Sequence, residues 1–184
     1  MLSEIVLIGP IGAGKSTQGE LLAKRLALPQ CSMDDLRWNY YQEIGYDPAL
    51  AQQKREARGM EAVIQYWKPF EAYAVERLLS EHRDCVIDFG AGHSVYEEAA
   101  LFDRVKRALS PYLNVVLLLP LPDIDRSWQI LKQRNCALPS DTHSMNEHYL
   151  RHPSNLKLAK HTIYTHGKTP EVTCAEILQF TGLA

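Results

Sequence analysis

The chain lacks the features that mark membrane-spanning, disulfide-stapled and nucleic-acid-binding proteins. Its longest apolar run, residues 115–119, is far too short to cross a bilayer. Its four cysteines lie far apart and form no CxxC pair, so neither a zinc ribbon nor a redox motif is supported. Its 20 lysines and arginines against 22 aspartates and glutamates leave no positive excess that would suit nucleic acid. We therefore expect neither a nucleic acid nor a membrane as a partner.

The N-terminus also lacks a basic segment before its first apolar stretch, residues 5–8, which argues against a signal peptide. Together with the scattered cysteines, this predicts a reducing, cytoplasmic setting. The 46% hydrophobic and 23% charged residues are ordinary for a globular protein. We expect a single domain over residues 1–184, present as a monomer or a homodimer.

Short apolar, β-branched runs alternate with helical patterns along the chain. Residues 5–8, 86–87 and 115–119 predict buried strands, because strands covered on both faces read as continuous apolar runs. Two weaker strands are expected near residues 30–32 and 162–165. The alternation predicts an α/β fold, a parallel five-stranded sheet with helices on both faces.

Helix signals fill the gaps between these strands. Residues 15–27 predict one helix, and Ser94 and Glu97 have the spacing of a capping box that opens another, ending near residue 109. Asp123 is expected to cap a third helix, and Pro170 suits the first turn of the last one.

Residues 9–16 read Gly-Pro-Ile-Gly-Ala-Gly-Lys-Ser, which matches G-x-x-x-x-G-K-[ST] between a strand and a helix. Such glycines let backbone N–H groups converge on phosphate oxygens at the positive end of a helix. Lys15 is expected to reach the β- and γ-phosphates and Ser16 to ligate Mg²⁺. A chance glycine-rich turn is disfavoured by the complete spacing and both flanks. The predicted nucleotide contacts here are Gly9, Gly12, Ala13, Gly14, Lys15, Ser16 and Thr17.

A second Mg²⁺ anchor is expected at the end of a neighbouring strand. Asp88 follows the apolar residues 86–87, so we predict that it holds the metal through water. The alternative is a loop aspartate that caps the turn before Gly90.

Four motifs together resemble the shikimate kinase-like group of small-molecule kinases, relatives of gluconate and adenylate kinases. Ser32-Met33-Asp34 stands where the family has Asp-x-Asp, and Gly90-Ala91-Gly92 stands where it has a glycine triplet. The glycine loop and a C-terminal pattern complete the set; that pattern comprises Arg151, Pro153, Ala159, Thr165 and Pro170, with Asn155 where tyrosine is usual. The resemblance implies the three-layer P-loop NTPase fold with a small lid, and ATP-dependent phosphotransfer to a hydroxyl group.

The resemblance also implies roles for particular residues. Asp34 would accept a hydrogen bond from the substrate hydroxyl and help to deprotonate it; the alternative is that Asp34, with Asp35, caps a helix. Gly90 and Gly92 would let the acceptor approach the backbone, and Arg151 would bind it. His93 follows the glycine turn and is a further candidate for acceptor contact, against the default of a hydrogen-bonded histidine.

The family resemblance also implies a lid and an adenine site. The helical pattern fails at residues 135–144, which predicts a flexible loop within a lid at about 135–150. Arg134 would stack on adenine or contact phosphate, and Lys168 would bracket the adenine. The alternatives are a solvated helix-end arginine and an ordinary surface lysine.

Three departures from the family pattern predict an acceptor other than shikimate. Ser32 replaces the first aspartate, Leu138-Pro139 replaces Arg-Pro in the lid, and Phe70-Glu71 replaces Phe-Arg in the carboxylate site. Losing one of two guanidinium groups weakens the grip on a carboxylate. Substitutes could come from Arg37, Arg55 or Arg58.

The acceptor-binding region is expected at about residues 33–82, a segment rich in aromatic rings. The rings predict either a helical subdomain that packs on itself or a pocket for an apolar or planar acceptor. Two other functions stay open. One is a nucleoside or nucleotide kinase whose rings stack on a base, and the other is a nucleotide-dependent regulatory module.

Overall fold

The computed structural model describes residues 4–183, and its centre is a parallel sheet. The strands are β1 (Ile5–Ile8), β2 (Gln30–Ser32), β3 (Val86–Asp88), β4 (Val115–Leu119) and β5 (His161–Tyr164). Their order across the sheet is β2-β3-β1-β4-β5, and every pairing is parallel. All residues of β1, β3 and β4 are buried, which explains their continuous apolar sequences. The predicted five-stranded parallel sheet is confirmed.

Helices cover both faces of the sheet. They are α1 (Lys15–Leu26), α2 (Met33–Glu43), α3 (Pro48–Glu81), α4 (Ala99–Leu109), α5 (Ile124–Arg134), α6 (Ser140–Arg151), α7 (Ser154–Leu158) and α8 (Pro170–Thr181). Side chains alternate between two apolar cores, because successive residues of a strand point to opposite faces. Val6 and Ile8 join the core beneath α3 and α4, whereas Leu7 joins the core beneath α1 and α8. The three predicted layers follow from this alternation.

The long helix α3 is kinked within the segment predicted to bind the acceptor. Gly59 has φ 75° and ψ −172°, outside helical geometry, and Pro69 lies inside the helix ten residues later. A proline in a helix interior removes one backbone hydrogen bond. The kink at Gly59 separates an N-terminal part of α3, which contacts α6 through Arg55 and Asp141, from a C-terminal part that packs in the core.

Two local predictions are wrong. Ser94 does not open a helix: residues 91–94 form a 3-10 turn, and α4 begins at Ala99. The Ser94 hydroxyl instead donates to Asn155 Oδ1 at 2.7 Å, a tertiary bond that replaces the capping box. The predicted loop at 135–144 is also helical from Ser140 onwards, because α6 is held by packing that its own polar sequence does not reveal. The predicted cap at Asp123 is confirmed by a 2.9 Å bond from the Arg126 N–H.

Among residues 4–183, no helix combines the length and the apolar character needed to span a bilayer.

Candidate active site

The carboxyl ends of β1, β2 and β3 bring the predicted phosphate and metal residues together. The strand register aligns Asp88 with Leu7 on one side and with Ser32 on the other. Because parallel strands all end at the same edge, the glycine loop after β1 meets the side chains that follow β2 and β3. A cavity of about 270 Å³ at this edge is lined by the loop, Asp34 and Ala91.

The glycine loop adopts a conformation that requires glycine. Gly9 has φ 138°, and a Cβ atom there would lie 2.5 Å from the carbonyl oxygen of Leu118. Gly14, with φ 99°, is the N-cap of α1, and the first turn of that helix has no acidic residue. The positive end of the helix therefore faces the cavity with no carboxylate in its own first turn, which suits a phosphate group.

Lys15 folds back over the glycine loop. Its Nζ donates to the carbonyl oxygens of Gly9 at 2.9 Å and Pro10 at 3.0 Å. Burial lowers the pKa of Lys15 to about 8, while the carboxylates of Asp34 and Asp88 oppose that shift. The ammonium therefore stays mostly protonated at pH 7, placed where it can attract a phosphate oxygen.

Asp88 is held rigidly behind the loop. It is 1% exposed, and its Oδ2 accepts a 2.7 Å hydrogen bond from Gln30 Nε2. Its Oδ1 accepts from Ser32 Oγ at 3.2 Å and from Ser16 Oγ at 3.4 Å. The sequence reasoning missed Gln30, although its position beside β3 follows from strand pairing.

Ser16 and Asp88 are the oxygen donors that fit a magnesium ion. A hydroxyl next to a carboxylate offers the hard ligands that Mg²⁺ prefers, with substrate phosphates and water completing the set. Within residues 4–183 no group of three or more His, Cys, Asp or Glu side chains could hold a metal by itself. The arrangement suits an ion that arrives with a nucleotide.

Asp34 lies opposite Lys15 in the first turn of α2. Neither Asp34 nor Asp35 occupies the N-cap of that helix, which is Ser32. The Asp34 side chain is 56% exposed and lines the phosphate cavity. Its Oδ1 lies 3.3 Å from Arg37 NH1, one turn further along the helix. A carboxylate that opens onto the phosphate cavity can receive a proton from a group bound there.

The turn with Gly90 and Gly92 is enclosed by the protein's own side chains. A Cβ atom on Gly90 would lie 2.7 Å from Asp34 Oδ1 and 2.8 Å from His93 Nδ1. A Cβ atom on Gly92 would overlap Glu71 Oε1. The two glycines therefore admit side chains to the backbone, and the predicted approach of an acceptor stays a prediction.

A buried ion pair lies on the far side of this turn. Lys68 Nζ is 2.7 Å from Glu71 Oε2, and their side chains are 6% and 4% exposed. Lys68 also donates to the carbonyl oxygen of Gly92 at 3.2 Å and lies over the rings of Tyr96 and Tyr149. Burial raises the pKa of Glu71, whereas Lys68 opposes that shift. The i, i+3 spacing could have revealed this pair in the sequence.

His93 lies beneath the turn, away from the cavity. It is 1% exposed, and its ring nitrogens lie 3.1 Å from Tyr41 Oη and 3.3 Å from the Gly90 carbonyl oxygen. Burial, together with the charges of Arg37 and Lys68, holds the pKa of His93 well below its usual value. A neutral, hydrogen-bonded imidazole supports the turn, and the predicted contact of His93 with an acceptor stays a prediction.

The aromatic side chains of α2 and α3 pack mainly on one another. The ring of Tyr41 lies 5.8 Å from that of Phe70, and Tyr46 lies 5.3 Å from Phe70. Tyr41 and Phe70 are buried in the main core, so the rings build the helical subdomain that packs on itself, the first of the two predicted alternatives. Trp38 is the exception at 40% exposed, with the Arg37 guanidinium 4.7 Å from its ring centre.

A larger cavity, of about 390 Å³, lies between α3 and α6. Met60 and Ile64 line it from α3, whereas Met145 and His148 line it from α6. Met145 packs in one apolar cluster with Ile11, which lines the phosphate cavity. The two cavities are therefore neighbours.

Arg134 and Lys168 meet at a third cavity, of about 170 Å³, on the other side of the loop. Arg134 NH1 donates to the Gly12 carbonyl oxygen at 3.1 Å and lies 3.5 Å from Thr165 Oγ1. Lys168 pairs with Glu176. The structure thus brings both predicted adenine-site residues beside Thr17 of the loop.

The comparison with known families decides the membership of the chain. The sequence model of the family described as "Shikimate kinase" matches residues 11–181. The chain belongs to the shikimate kinase family. The prediction of a P-loop small-molecule kinase of this group is confirmed.

Solved structures share the fold of this family member at low sequence identity. Shikimate kinase from Acinetobacter baumannii, in complex with shikimate, is 22% identical with a TM-score of 0.62, over 98% of this chain and 93% of the other. Shikimate kinase from Aquifex aeolicus is 23% identical with a TM-score of 0.60, over 97% and 96%. A gluconokinase from Sinorhizobium meliloti is 18% identical with a TM-score of 0.62, over 97% and 91%.

A curated relative matches a short stretch more strongly. Adenylate kinase from Mycolicibacterium vanbaalenii is 58% identical over 36 residues, which are 19% of this chain. The match spans only a fifth of the length of that adenylate kinase.

Arg151 lies at the surface of this member of the family, outside the three cavities. Its guanidinium pairs with Asp125 at 2.8 Å and with Glu147 at 2.9 Å, and its side chain is 44% exposed. The structure therefore does not bring Arg151 to Asp34. The cations near Asp34 are Arg37, one turn along α2, and Lys15, which lines the same cavity. The charge of Lys68 is matched by Glu71.

Proposed function

We propose that this protein is an ATP-dependent kinase that transfers the γ-phosphate of ATP to a hydroxyl group of a small metabolite. The observation that carries the proposal is the meeting of the glycine loop, Lys15 and Asp34 at one 270 Å³ cavity, with buried Asp88 hydrogen-bonded to Ser16 of the loop behind it. Membership of the shikimate kinase family supports the same reaction.

The loop and Lys15 would bind the phosphates. Amide N–H groups at the start of α1 and the Lys15 ammonium offer positive charge to the oxygens of the transferred group. Phosphoryl transfer depends chiefly on positioning and on stabilising this spread of negative charge. Lys15 would exchange its bonds to Gly9 and Pro10 for bonds to phosphate.

Asp34 would hold the acceptor hydroxyl in line with the γ-phosphate and receive its proton. Its half-exposed carboxylate faces the cavity, and Arg37 fixes it from one side. A positioned general base contributes about 10²- to 10⁴-fold to a rate.

The proposed reaction uses ATP with a bound magnesium ion. Ser16 would ligate the ion directly, and Asp88 would hold it through water, since both oxygens lie on the phosphate side of the sheet. The ion supplies charge neutralisation to the phosphates when it is bound.

The acceptor is proposed to be a hydroxylated metabolite other than shikimate. Arg151 is held outside by Asp125 and Glu147, and Lys68 is matched by buried Glu71. Arg37 is the cation beside Asp34, so a carboxylate would meet one guanidinium there.

A nucleotide acceptor is the second candidate. The 36-residue match to an adenylate kinase favours it. The α2 and α3 rings pack on one another, so Trp38 is the exposed indole there that could stack on a base.

A reducing, cytoplasmic setting is proposed as well, and the exposed free thiol of Cys136 accords with it. The monomer or homodimer stays a prediction.

The test is a coupled assay of ADP release with a library of hydroxylated metabolites and nucleosides. We expect acceptor-stimulated ADP release that needs Mg²⁺ and is lost in Lys15→Ala. ATP binding without stimulation by any acceptor class would instead indicate the regulatory module. Equal release by the parent chain and by Lys15→Ala would overturn the assignment of the loop.

A further inference from the structure

One buried side chain of α6 is hydrogen-bonded to the outer side of the glycine loop. Asn146 lies on α6 and is 1% exposed. Its Oδ1 accepts a 2.7 Å hydrogen bond from the Ile11 N–H, and its Nδ2 donates to the Ile11 carbonyl oxygen at 3.0 Å. One side-chain amide therefore satisfies both backbone groups of Ile11, which lies 135 residues away in sequence.

Two further donors hold the same stretch of backbone from outside. Asn135 Nδ2 donates to the Ile11 carbonyl oxygen at 3.1 Å, and Arg134 NH1 donates to the Gly12 carbonyl oxygen at 3.1 Å. In a planar trans peptide the C=O and the following N–H point in opposite directions. Fixing the Ile11 carbonyl outward therefore turns the Gly12 N–H inward, at a residue that lines the phosphate cavity.

Helix α6 also reaches the acceptor side of the molecule. Ser144, Met145 and His148 line the 390 Å³ cavity. His148 Nε2 lies 2.6 Å from Glu97, and Asp141 at the start of α6 lies 3.4 Å from Arg55 of α3. The helix thus contacts the phosphate loop through Asn146 and the neighbouring cavity through other residues.

We propose that Asn146 is a positioning residue that holds the glycine loop in its phosphate-binding conformation and ties it to the position of α6. The inference rests on the proposed ATP site. If α6 moves away, the Ile11 N–H loses its partner, and a buried unsatisfied donor is unfavourable. The loop then relaxes, so nucleotide affinity depends on the place of α6.

The test compares two buried asparagines by calorimetry with MgATP. Asn114 is a matched control, because it is 6% exposed and its Nδ2 donates to the Glu4 carbonyl oxygen at 3.1 Å just before β4, away from both the loop and α6. We expect Asn146→Ala to weaken MgATP binding about tenfold, as two lost hydrogen bonds imply. Asn114→Ala also removes a buried hydrogen bond and should lower the melting temperature, but it should bind MgATP within about twofold of the parent.

The outcomes separate the two proposals. Parent protein that binds MgATP, with Asn146→Ala binding as tightly, would overturn the role of Asn146 and leave the kinase proposal standing. A folded parent that binds no MgATP would overturn both. Equal weakening by the two variants would make Asn146 merely structural.

A second measurement needs no variant. Hydrogen exchange of the parent protein without nucleotide should show slow exchange at the Ile11 amide, and that amide should open together with those of α6. Exchange of Ile11 as fast as that of a solvent-exposed loop would contradict the proposal even where Asn146→Ala does not fold.

Discussion

The proposed nucleotide end and the proposed acceptor region of this molecule are built in different ways. The nucleotide end is one continuous loop, residues 9–17, whose backbone supplies the donors, with Asp88 placed behind it by strand pairing. The proposed acceptor region takes its polar groups from three separated segments, which carry Arg37, the pair Lys68 and Glu71, and His93. A site made of backbone groups can be recognised from a local sequence motif. A site made of side chains that are distant in sequence depends on the whole fold.

The two regions also differ in how they carry charge. Lys15 and Asp34 open onto a cavity and can exchange partners with a ligand. Lys68, Glu71 and His93 are buried and bonded to one another or to the backbone. Substitutions at the open groups should therefore change rates, and those at the buried groups should first change stability.

The largest expected effect is at Asp34. Asp34→Asn should lower kcat about 10²- to 10⁴-fold, because the amide cannot accept the hydroxyl proton. MgATP affinity should change by about twofold or less, since the loop and Lys15 remain. Asp35→Asn, on the next residue of α2, is the matched control and should be near normal in steady-state kinetics. Equal losses of kcat and ATP affinity would assign Asp34 a structural role.

The buried pair should give the largest change in stability. Lys68→Met leaves Glu71 buried without its partner, which should lower the free energy of unfolding by about 3–5 kcal/mol. Adding Glu71→Leu should recover most of this loss, because no buried charge is left. Urea unfolding measures both. A loss under about 1 kcal/mol in the single variant, as expected for an exposed pair, would contradict the described burial.

The pH dependence of ATP binding should reveal Lys15. Its pKa lies at about 8, so the ammonium is charged below that pH and is lost as the pH rises through it. MgATP affinity should therefore fall by up to about tenfold per pH unit above pH 8. Lys15→Arg, which keeps its charge, should lack this step in calorimetry between pH 7 and 9.5. A parent profile that is flat across this range would contradict the prediction.

The smallest expected effect is a difference in the acceptor KM between variants of two arginines, Arg37 and Arg151. With an acceptor found in the ADP-release screen, Arg37→Ala should raise its KM about tenfold, because Arg37 lies beside Asp34. Arg151→Ala removes only pairs at the surface and should change the same KM by about twofold or less. The reverse order would mean that the lid turns Arg151 into the site when acceptor binds.

The sequence predicted the sheet and the phosphate loop because both are local. Residues 115–119 are apolar throughout since both faces are covered, and residues 9–16 carry a fixed spacing. The helix from Ser140 was missed because its polar sequence is held by tertiary bonds such as those of Asn146. Gln30 was missed because its partner, Asp88, lies on another strand. Lys68 and Glu71 have the local i, i+3 spacing of an ion pair, but their burial and the bond from Lys68 to Gly92 depend on the whole fold. The spacing of Arg151 matched the family pattern and predicted acceptor binding, yet its ion pairs with Asp125 and Glu147 hold it outside the phosphate cavity.

The most direct test of the central claim is calorimetry of MgATP binding to the parent chain and to Lys15→Ala, with folding checked by circular dichroism. The account predicts one MgATP site in the parent protein and at least about tenfold weaker binding in the folded Lys15→Ala variant, because Lys15 lies within the phosphate loop. A folded parent chain that takes up no MgATP, or binding that is unchanged by Lys15→Ala, would contradict it.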